Sequence, residues 1–265
     1  MRSVTVLDGS YYVFYRYHAL LVWWGKARGD DEPKNPGESP RFIAKFKSTF
    51  YDKLKALEKR HGHTGAPRWV AKDCPRGEIW RNEHLPAYKG TRQDRPEIGI
   101  FMELAYRELF VEPHVAGVME LPTLEADDCA AITLQRMHRH QPQASVLMVT
   151  GDMDYLQLAR PGVILSDLRG RLLTDNKNSL GDATKDLAYK IIRGDKSDNI
   201  APVFKRCGDK ACRRYIEDPE SLRAALDKDP VARAAFERNR ALIDFEKIPD
   251  ELAVEFCRAY QRIWS

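Results

Sequence analysis

Short apolar runs alternate with longer amphipathic stretches over the first two-thirds of the chain. Five runs are rich in β-branched residues and are bounded by polar, glycine or proline residues, as strands usually are. They cover residues 4–8, 68–73, 114–119, 145–152 and 162–167. Helix-like segments lie between most of them, a pattern typical of a parallel sheet with helices on both faces. The predicted fold class is therefore α/β.

The pattern changes near residue 182, where the strand signals stop. Residues 182–194 and 209–265 have helical character, and Leu252, Phe256, Tyr260 and Ile263 recur every three or four positions, as on one face of an amphipathic helix. We predict an α/β core over residues 1–181 and a helical subdomain over residues 182–265 that packs on the sheet. Polar residues 25–40, rich in glycine and proline, are predicted to form a surface loop.

Three of the predicted strands end in an aspartate: Asp8, Asp73 and Asp152. In an open parallel sheet the carboxyl ends of the strands share the edge where ligands bind. Neighbouring carboxylates need a compensating cation or shifted pKa values at neutral pH. A single strand-end aspartate is usually a cap or turn residue, but the same placement on three strands favours a metal site.

Six further acids fall in three short motifs, LEADD, GDMD and GDKSDNI; they are Glu125, Asp127, Asp128, Asp154, Asp195 and Asp198. Acids in the first turn of a helix also complement its dipole, and those of the last motif could be simple helix caps. Oxygen ligands without matching histidines or cysteines select Mg²⁺ or Mn²⁺ rather than zinc. Nine carboxylates are more than one Mg²⁺ needs, so they predict two ions flanking a phosphodiester.

The five cysteines form no CxxC pair, which is unlike a zinc site or a dense disulfide scaffold, and they are expected to be reduced thiols. A metal held by Cys207 and Cys212 with nearby histidines is a minor alternative. The first residues lack the pattern of a signal peptide, and no apolar stretch is long enough to span a membrane. We expect a soluble cytoplasmic protein of a bacterium or of a phage- or virus-infected cell, without a membrane partner.

Two segments combine positive charge with features of nucleic-acid binding. Residues 80–95 interleave basic and aromatic side chains, a pattern that suits single-stranded nucleic acid. Composition alone favours an ordinary amphipathic helix with an exposed, solvated face. Residues 204–214 form a second basic cluster. The chain has 43 Lys and Arg against 39 Asp and Glu; if the acids gather in a metal site, the remaining surface is basic and favours a polyanionic partner.

The sequence resembles the 5′-nuclease superfamily, which includes flap endonucleases, the 5′-nuclease domain of bacterial DNA polymerase I and phage 5′-3′ exonucleases. The matching motifs occur in the family's order and span residues 4–204: LDGSYYVFYRYHA, KDCPRGEIWRNEHLPAYKGTR, LEADD, VTGDMDYLQL and IIRGDKSDNIAPVF. A later stretch, residues 239–252, resembles the ribonuclease H of T-even phages. Each motif alone is moderately specific, but the ordered set is highly specific.

The resemblance implies a PIN-like core with a helix–three-turn–helix element that grips duplex DNA, and an arch over the active site from residues 76–100. By motif, the first metal would be held by Asp8, Asp73, Glu125 and Asp127. The second would be held by Asp128, Asp152, Asp154 and Asp198, with Asp195 nearby.

The resemblance also implies roles for the basic segments. Lys89 and Arg92, on one helical face, would contact the scissile phosphate, Tyr88 would stack on the terminal base and Arg81 would support the strand. The duplex would be held by Lys205, Arg206 and Lys210. The family's K⁺ site is doubtful, because residues 202–206 replace the usual glycine-rich hairpin.

The expected activity is two-metal hydrolysis of phosphodiester bonds in DNA or RNA–DNA hybrids, with Mg²⁺ as the cofactor and Mn²⁺ as its substitute. Substrates would carry 5′ flaps, nicks or ends, and the role would be primer or flap removal in replication or repair. We expect a monomer that works with replication proteins. Two alternatives stay open: a PIN-type ribonuclease for single-stranded RNA and a non-catalytic junction-binding protein.

Overall fold

Five short strands form one parallel sheet in the order β3-β2-β1-β4-β5. The structure is a computed structural model, which describes residues 2–28, 35–93 and 95–264. The strands are β1 (Ser3–Asp8), β2 (Arg68–Ala71), β3 (Gly117–Met119), β4 (Ser145–Val149) and β5 (Val163–Ser166). The α/β fold class predicted from the sequence is confirmed.

Helices cover both faces of this sheet. On one face lie α1 (Gly9–Arg28), α2 (Pro40–Thr49), α3 (Asp52–His61) and α4 (Pro96–Leu104). The other face is covered by α5 (Ala126–His140) and α10 (Asp250–Ala259). The remaining helices are α6 (Ala183–Arg193), α7 (Asp209–Glu217), α8 (Pro219–Lys228) and α9 (Pro230–Ile243). Among the described residues, no helix combines the length and the apolar character needed to cross a membrane.

Strand β1, at the centre of the sheet, contributes side chains to the hydrophobic core on each face. Val4 and Val6 belong to the core beneath α5, whereas Leu7 belongs to the core beneath α1, as the alternation of side chains along a strand requires. All three side chains are fully buried. A strand enclosed in this way reads as a continuous apolar run, which is why the sequence predicts it well.

The helices beyond residue 182 contact the rest of the chain at several points, two of which are hydrophobic. Ile191 and Leu242 pack in one cluster with Ile79, just before the basic segment, and Phe256 and Ile263 are buried in the core beneath α5. The predicted apolar face near the C-terminus therefore does meet the core, although α10 ends at Ala259. The division into two parts at residue 182 stays a prediction.

One predicted loop and two predicted strands are shorter in the structure than in the prediction. The loop predicted over residues 25–40 starts later, because α1 continues to Arg28; residues 29–34 lie outside the described part of the chain. Strand β3 is confined to Gly117–Met119, since backbone hydrogen bonds from His114 and Val115 to Val111 close a turn just before it. Strand β4 stops at Val149, before Asp152.

Candidate metal centre and basic segment

The three strand-end aspartates meet at the centre of the sheet. Strand β1 lies between β2 and β4; Asp8 ends β1, while Asp73 and Asp152 follow β2 and β4 by two and three residues. The chain changes direction across the sheet at β1, and such a switch point opens a crevice at the carboxyl ends of the strands. A cleft of about 560 Å³ lies there, and its walls include all three aspartates together with Asp127 and Asp195.

Two glycines let the backbone come close enough to form this cleft. A Cβ on Gly9, at the start of α1, would lie 2.8 Å from the carbonyl oxygen of Ala71. A Cβ on Gly151 would lie 2.5 Å from the ring of Tyr11. Both positions therefore need glycine, the first so that α1 can approach β2 and the second so that the turn after β4 can approach α1.

Hydrogen bonds orient the first pair of carboxylates. Asp8 accepts from the backbone N–H of Tyr11 and from the hydroxyl of Thr150, both at 3.0 Å. Asp73 accepts from the Ser10 hydroxyl at 2.5 Å and from the Ala126 N–H at 2.9 Å. Burial, followed by the charges of Asp73 and Asp152, raises the pKa of Asp8 to about 7. An acid held in this way is ionised most readily beside a bound cation.

A second group of carboxylates comes from two separate segments. Oxygens of Asp154, Asp195 and Asp198 lie within 4.8 Å of one another. The buried Oδ1 atom of Asp154 is paired with the ammonium of Lys190. Burial would raise the pKa of Asp195, but Lys190 and hydrogen bonds from Ser197 hold it at about 2. This all-oxygen donor set fits a hard divalent cation.

Asp128 has a structural role at the start of α5 in this conformation. Glu125 and Asp128 form a reciprocal capping box at the start of α5. The Asp128 carboxylate is fully buried and accepts from Trp80 Nε1 at 3.0 Å, twice from Arg81 at 2.7 Å and from the Glu125 N–H at 3.1 Å. Its oxygens lie near those of Glu125 and Asp127, but they are already satisfied. The role of Asp128 as a metal ligand stays a prediction, since its carboxylate would have to give up some of these donors to bind an ion.

Arg81 is the buried partner of this pair. Its side chain is 1% exposed and donates to Glu125 Oε2 at 2.9 Å and to the Leu242 carbonyl at 2.7 Å, in addition to Asp128. At 1% exposure Arg81 cannot contact a nucleic-acid strand in this conformation, so its predicted support of the strand can act only through its buried neighbours. Its fixed fork of donors instead satisfies two buried acids and a helix end.

The segment that carries Lys89 and Arg92 is not helical. Residues 86–91 form turns, and Lys89 has a φ of 53°, in the left-handed region. The prediction that the two cations share a helical face is therefore wrong. Lys89 instead pairs with Glu125 and lies 3.9 Å from an oxygen of Asp198, while Arg92 pairs with Asp198. Both side chains line the cleft of the strand-end aspartates.

The ring of Tyr88 is buried and is not free to stack on a base. Its ring is buried beside Ile79 and Ile191, and its hydroxyl lies 3.1 Å from Glu125 Oε2. Stacking on a base would require the ring to leave this apolar pocket, so the predicted stacking does not occur in this conformation. Residue 94, within the predicted arch, lies outside the described residues.

Backbone contacts dock the basic segment onto the turn after α6. The Lys89 N–H donates to the Asp198 carbonyl at 3.0 Å, and the Asn199 side chain donates to the Ala87 carbonyl at 2.9 Å. Glu125, Lys89 and Asp198 therefore form one ionic network. Burial by itself would lower the pKa of Lys89, but Glu125 and Asp127 raise it above its usual range.

The predicted duplex-binding residues are all exposed. Lys205 and Arg206 lie in the turn before α7, and Lys210 lies in the first turn of that helix. Cys207 and Cys212 are buried nearby, with their sulfurs 3.2 Å apart. Among the described residues, the side-chain groups that could hold a metal consist of carboxylates alone, so the cysteine alternative gains no support.

Sequence reasoning missed three residues that bind the carboxylates of the centre. Ser10 and Thr150 orient Asp73 and Asp8, and each lies two residues from an aspartate of the centre, in DGS and TGD. Lys190 bridges Asp154 and Asp195. Its signal was its place on a helix one turn before the GDKSDNI motif, but a lysine there looks like any other surface lysine.

The comparison with protein families agrees with this geometry. The model of the 5′-3′ exonuclease N-terminal resolvase-like domain matches residues 3–186, which include all five strands and the strand-end aspartates. The chain belongs to the 5′-3′ exonuclease family. Lys190, Asp195 and Asp198 lie beyond the matched range.

Two curated relatives show how the chain compares with other members of the family. DNA polymerase I of Mycobacterium tuberculosis is 27% identical over 268 aligned residues, which cover 91% of this chain. The chain spans only 27% of the length of that polymerase. Flap endonuclease Xni of Klebsiella pneumoniae is 29% identical over 186 residues, covering 67% of this chain and 72% of Xni.

Solved structures of the D15 protein of phage T5 have the same fold. A crystal form with metal ions superimposes with a TM-score of 0.71 at 18% identity, over the full length of both chains. A variant described as a flap endonuclease pseudo-enzyme–product complex with DNA and metal ions gives a TM-score of 0.69 at 17% identity and 99% coverage of both chains. This likeness establishes the fold of the 5′-3′ exonuclease described above.

Proposed function

We propose that this 5′-3′ exonuclease cuts phosphodiester bonds near the 5′ ends of DNA and RNA–DNA substrates, both as an exonuclease and as a flap endonuclease. The observation that carries the proposal is the cleft at the end of β1, β2 and β4. It combines at least five carboxylates with the cations Lys89, Arg92 and Lys190. Acids that bind metal and cations that bind phosphate are both needed to hydrolyse a phosphodiester.

Two divalent ions, Mg²⁺ in the cell, are the proposed cofactors. Asp8, Asp73 and Asp127 would hold one of them, and Asp152, Asp154, Asp195 and Asp198 the other. When bound, the ions make water more acidic and neutralise charge on phosphate oxygens. Glu125 joins the first set only when Lys89 leaves it, because its other oxygen already accepts from Arg81 and Tyr88.

Lys89 and Arg92 would contact the scissile phosphate by exchanging partners. Both now pair with carboxylates of the centre. A phosphate in the cleft offers the same charge to the same donors, while the released carboxylate oxygens become available to metal. Cations that reach the phosphate as charge develops on it lower the barrier to hydrolysis.

The exposed cations near the start of α7 would hold the duplex beside the cleft. Lys205, Arg206 and Lys210 offer phosphate contacts, which position a nucleic acid without reading its sequence. The relatives' names, a flap endonuclease and a DNA polymerase I, support flaps and primers as substrates. We propose that the protein acts as a monomer in the cytoplasm during replication or repair.

The test is cleavage of a panel of 5′-labelled substrates with Mg²⁺, Mn²⁺, Ca²⁺ or a chelator. The panel contains a 5′ flap, a nick, a blunt duplex, an RNA primer on DNA and a single-stranded RNA. We expect cleavage of the flap, nick and hybrid with Mg²⁺ or Mn²⁺ and none with the chelator. Preferential cleavage of the single-stranded RNA would identify a ribonuclease instead, and binding without cleavage a junction-binding protein. Full activity after exhaustive chelation would overturn the metal mechanism.

A further inference from the structure

Lys190 lies on α6, where its ammonium stands between two acids of the proposed second metal site. It contacts Asp154 Oδ1 and lies 2.8 Å from Asp195 Oδ2. Those two acids and Asp198 come from segments about 40 residues apart in the sequence and have oxygens within 4.8 Å of one another. The side chain of Lys190 is 23% exposed and also lines the cleft.

Each cation around the metal centre forms ion pairs with a different set of carboxylates. Asp198 is paired with Arg92 and Glu125 with Lys89. In the described part of the chain, Lys190 is the cation found within ion-pair distance of Asp154 and Asp195. Without Lys190 these two acids would repel each other, because ionising two carboxylates this close together costs free energy unless a positive charge lies beside them.

We infer that Lys190 is a built-in counter-ion, which occupies the second metal position in the metal-free protein and which a divalent ion must displace. This inference rests on the proposed function, since it assumes that the same carboxylates bind metal. A lysine suits the task because its ammonium is a compact point charge on a flexible stem. When displaced, the ammonium can be solvated through the open side of the cleft, so the exchange is reversible.

The consequence is that Lys190 weakens the binding of the second ion while it stabilises the metal-free fold. Two cations that compete for one set of ligands have a negative coupling, and removing one raises the affinity of the other by the size of that coupling. A lysine with a purely structural role would behave differently, because its loss would lower stability and leave metal affinity unchanged or weaker.

The test compares Lys190→Met, which keeps the length of the side chain and removes its charge, with Lys190→Arg and with Lys185→Met. Lys185 is an exposed lysine on the same helix. Mn²⁺ binding is measured by calorimetry without nucleic acid, and melting temperature is measured with a chelator. We expect Lys190→Met to bind the weaker of the two ions about tenfold more tightly, within the usual range of such couplings, and to melt at a lower temperature without metal. Lys190→Arg and Lys185→Met should bind Mn²⁺ like the wild type.

Unchanged or weaker Mn²⁺ binding by folded Lys190→Met would overturn the inference. If that variant does not fold without metal, the wild type supplies the answer by NMR. The ¹³Cε signal of Lys190, assigned with Lys190→Arg, should shift during binding of the second equivalent of Mg²⁺, and a signal that stays in place contradicts displacement. A wild-type protein that binds no divalent ion would overturn the proposed function as well. If the wild type binds two ions and cleaves its substrate, the proposed function stands, and a negative result with Lys190→Met contradicts only the inference about Lys190.

Discussion

The Arg81 guanidinium is the centre of a buried ionic cluster that joins three parts of the chain. It satisfies Asp128 and Glu125 at the start of α5 and the last carbonyl groups of α9 through Leu242. Because Glu125 in turn holds Lys89, this cluster sets the position of a residue expected to touch the phosphate. Arg81 therefore acts on the site through its neighbours.

Replacing Arg81 with methionine should destabilise the protein strongly. The substitution leaves the Asp128 carboxylate buried without its partner, and breaking a buried ion pair from one side costs about 3–5 kcal/mol. Chemical denaturation in the presence of Mg²⁺ measures this loss. A change below about 1 kcal/mol, the range of exposed pairs, would show that the cluster is open to water.

Lys89→Ala should slow catalysis more than it weakens binding. A cation that meets the phosphate as charge develops contributes mainly to the transition state, and its loss costs about 10²–10³ in rate. Single-turnover cleavage of a flap, measured beside equilibrium binding in Ca²⁺, separates the two effects. We expect the affinity to change only a few-fold.

Lys59→Ala is the matched control for Lys89→Ala, since Lys59 is exposed on α3, away from the cleft. It should change neither rate nor affinity. Normal cleavage by Lys89→Ala would show that this ammonium stays on Glu125 throughout the reaction.

At the scale of elements, α6, the following turn and α7 link the metal centre to the proposed duplex grip. Asp195 lines the cleft at the beginning of the turn, with Asp198 buried beside it, while Lys205 and Arg206 are exposed at the end of the turn. A duplex held by the second pair would be positioned relative to the first by about ten residues of backbone. This helix–turn–helix segment therefore couples binding of the duplex to the position of the metal site.

Replacing Lys205, Arg206 and Lys210 together with glutamine should weaken duplex binding without removing catalysis. Each lost phosphate contact lowers the slope of log K against log salt by about 0.9, so the triple variant should lose about two to three units of slope. Fluorescence anisotropy over a range of salt concentrations measures this slope. An unchanged slope would place the duplex elsewhere on the protein.

The elements differ in how far the sequence predicts them. Strands β1 and β4 are buried on both sides, so their composition follows directly from their surroundings and Asp8 and Asp152 could be located from it. The structure of residues 80–95 is harder to predict, because composition does not distinguish an exposed arginine from one that is buried against two acids. Arg81 and Lys190 each have a partner far along the chain, Leu242 and Asp154 respectively, and no local sequence pattern indicates such a contact.

At the scale of the whole molecule, the gathered carboxylates should make the metal-free protein less stable as pH rises. The pKa of Asp8 is raised from 3.8 to about 7 in the folded state, chiefly by burial. The folded protein then binds more protons than the unfolded chain between these values, so its free energy of unfolding falls as pH rises through this window. The melting temperature with a chelator should be higher near about pH 5 than near about pH 8.

Asp8→Asn should reduce this pH dependence, because the amide does not titrate. Mg²⁺ should also reduce it in the wild type, since bound metal favours the ionised carboxylate. Melting curves at the two pH values, with and without Mg²⁺, test both statements. A metal-free protein that gains stability toward alkaline pH would contradict the raised pKa of Asp8.

Asp152→Asn combined with Asp154→Asn should abolish cleavage and preserve the fold. The amides keep the size of the side chains, and the substitutions remove two negative charges from a crowded cluster. Circular dichroism and duplex binding should match the wild type, while flap cleavage should fall by more than about 10³-fold. Substantial turnover by this variant would mean that other acids suffice.

Side-chain hydrogen bonds tie α9 both to the turn around α6 and to the segment after β4, and they limit how this protein can be divided into fragments. The Asn239 side chain donates to the carbonyls of Ile191 and Ala201, and the Gln157 side chain is bonded to Ile243 and Phe245. A fragment ending at residue 186, where the family match ends, would lose Lys190, Asp195 and Asp198 and expose Arg81. The helical end is thus not an interchangeable module: a chimera built with the corresponding part of a relative must import the segment around residues 239–245 together with the acids that it holds in place.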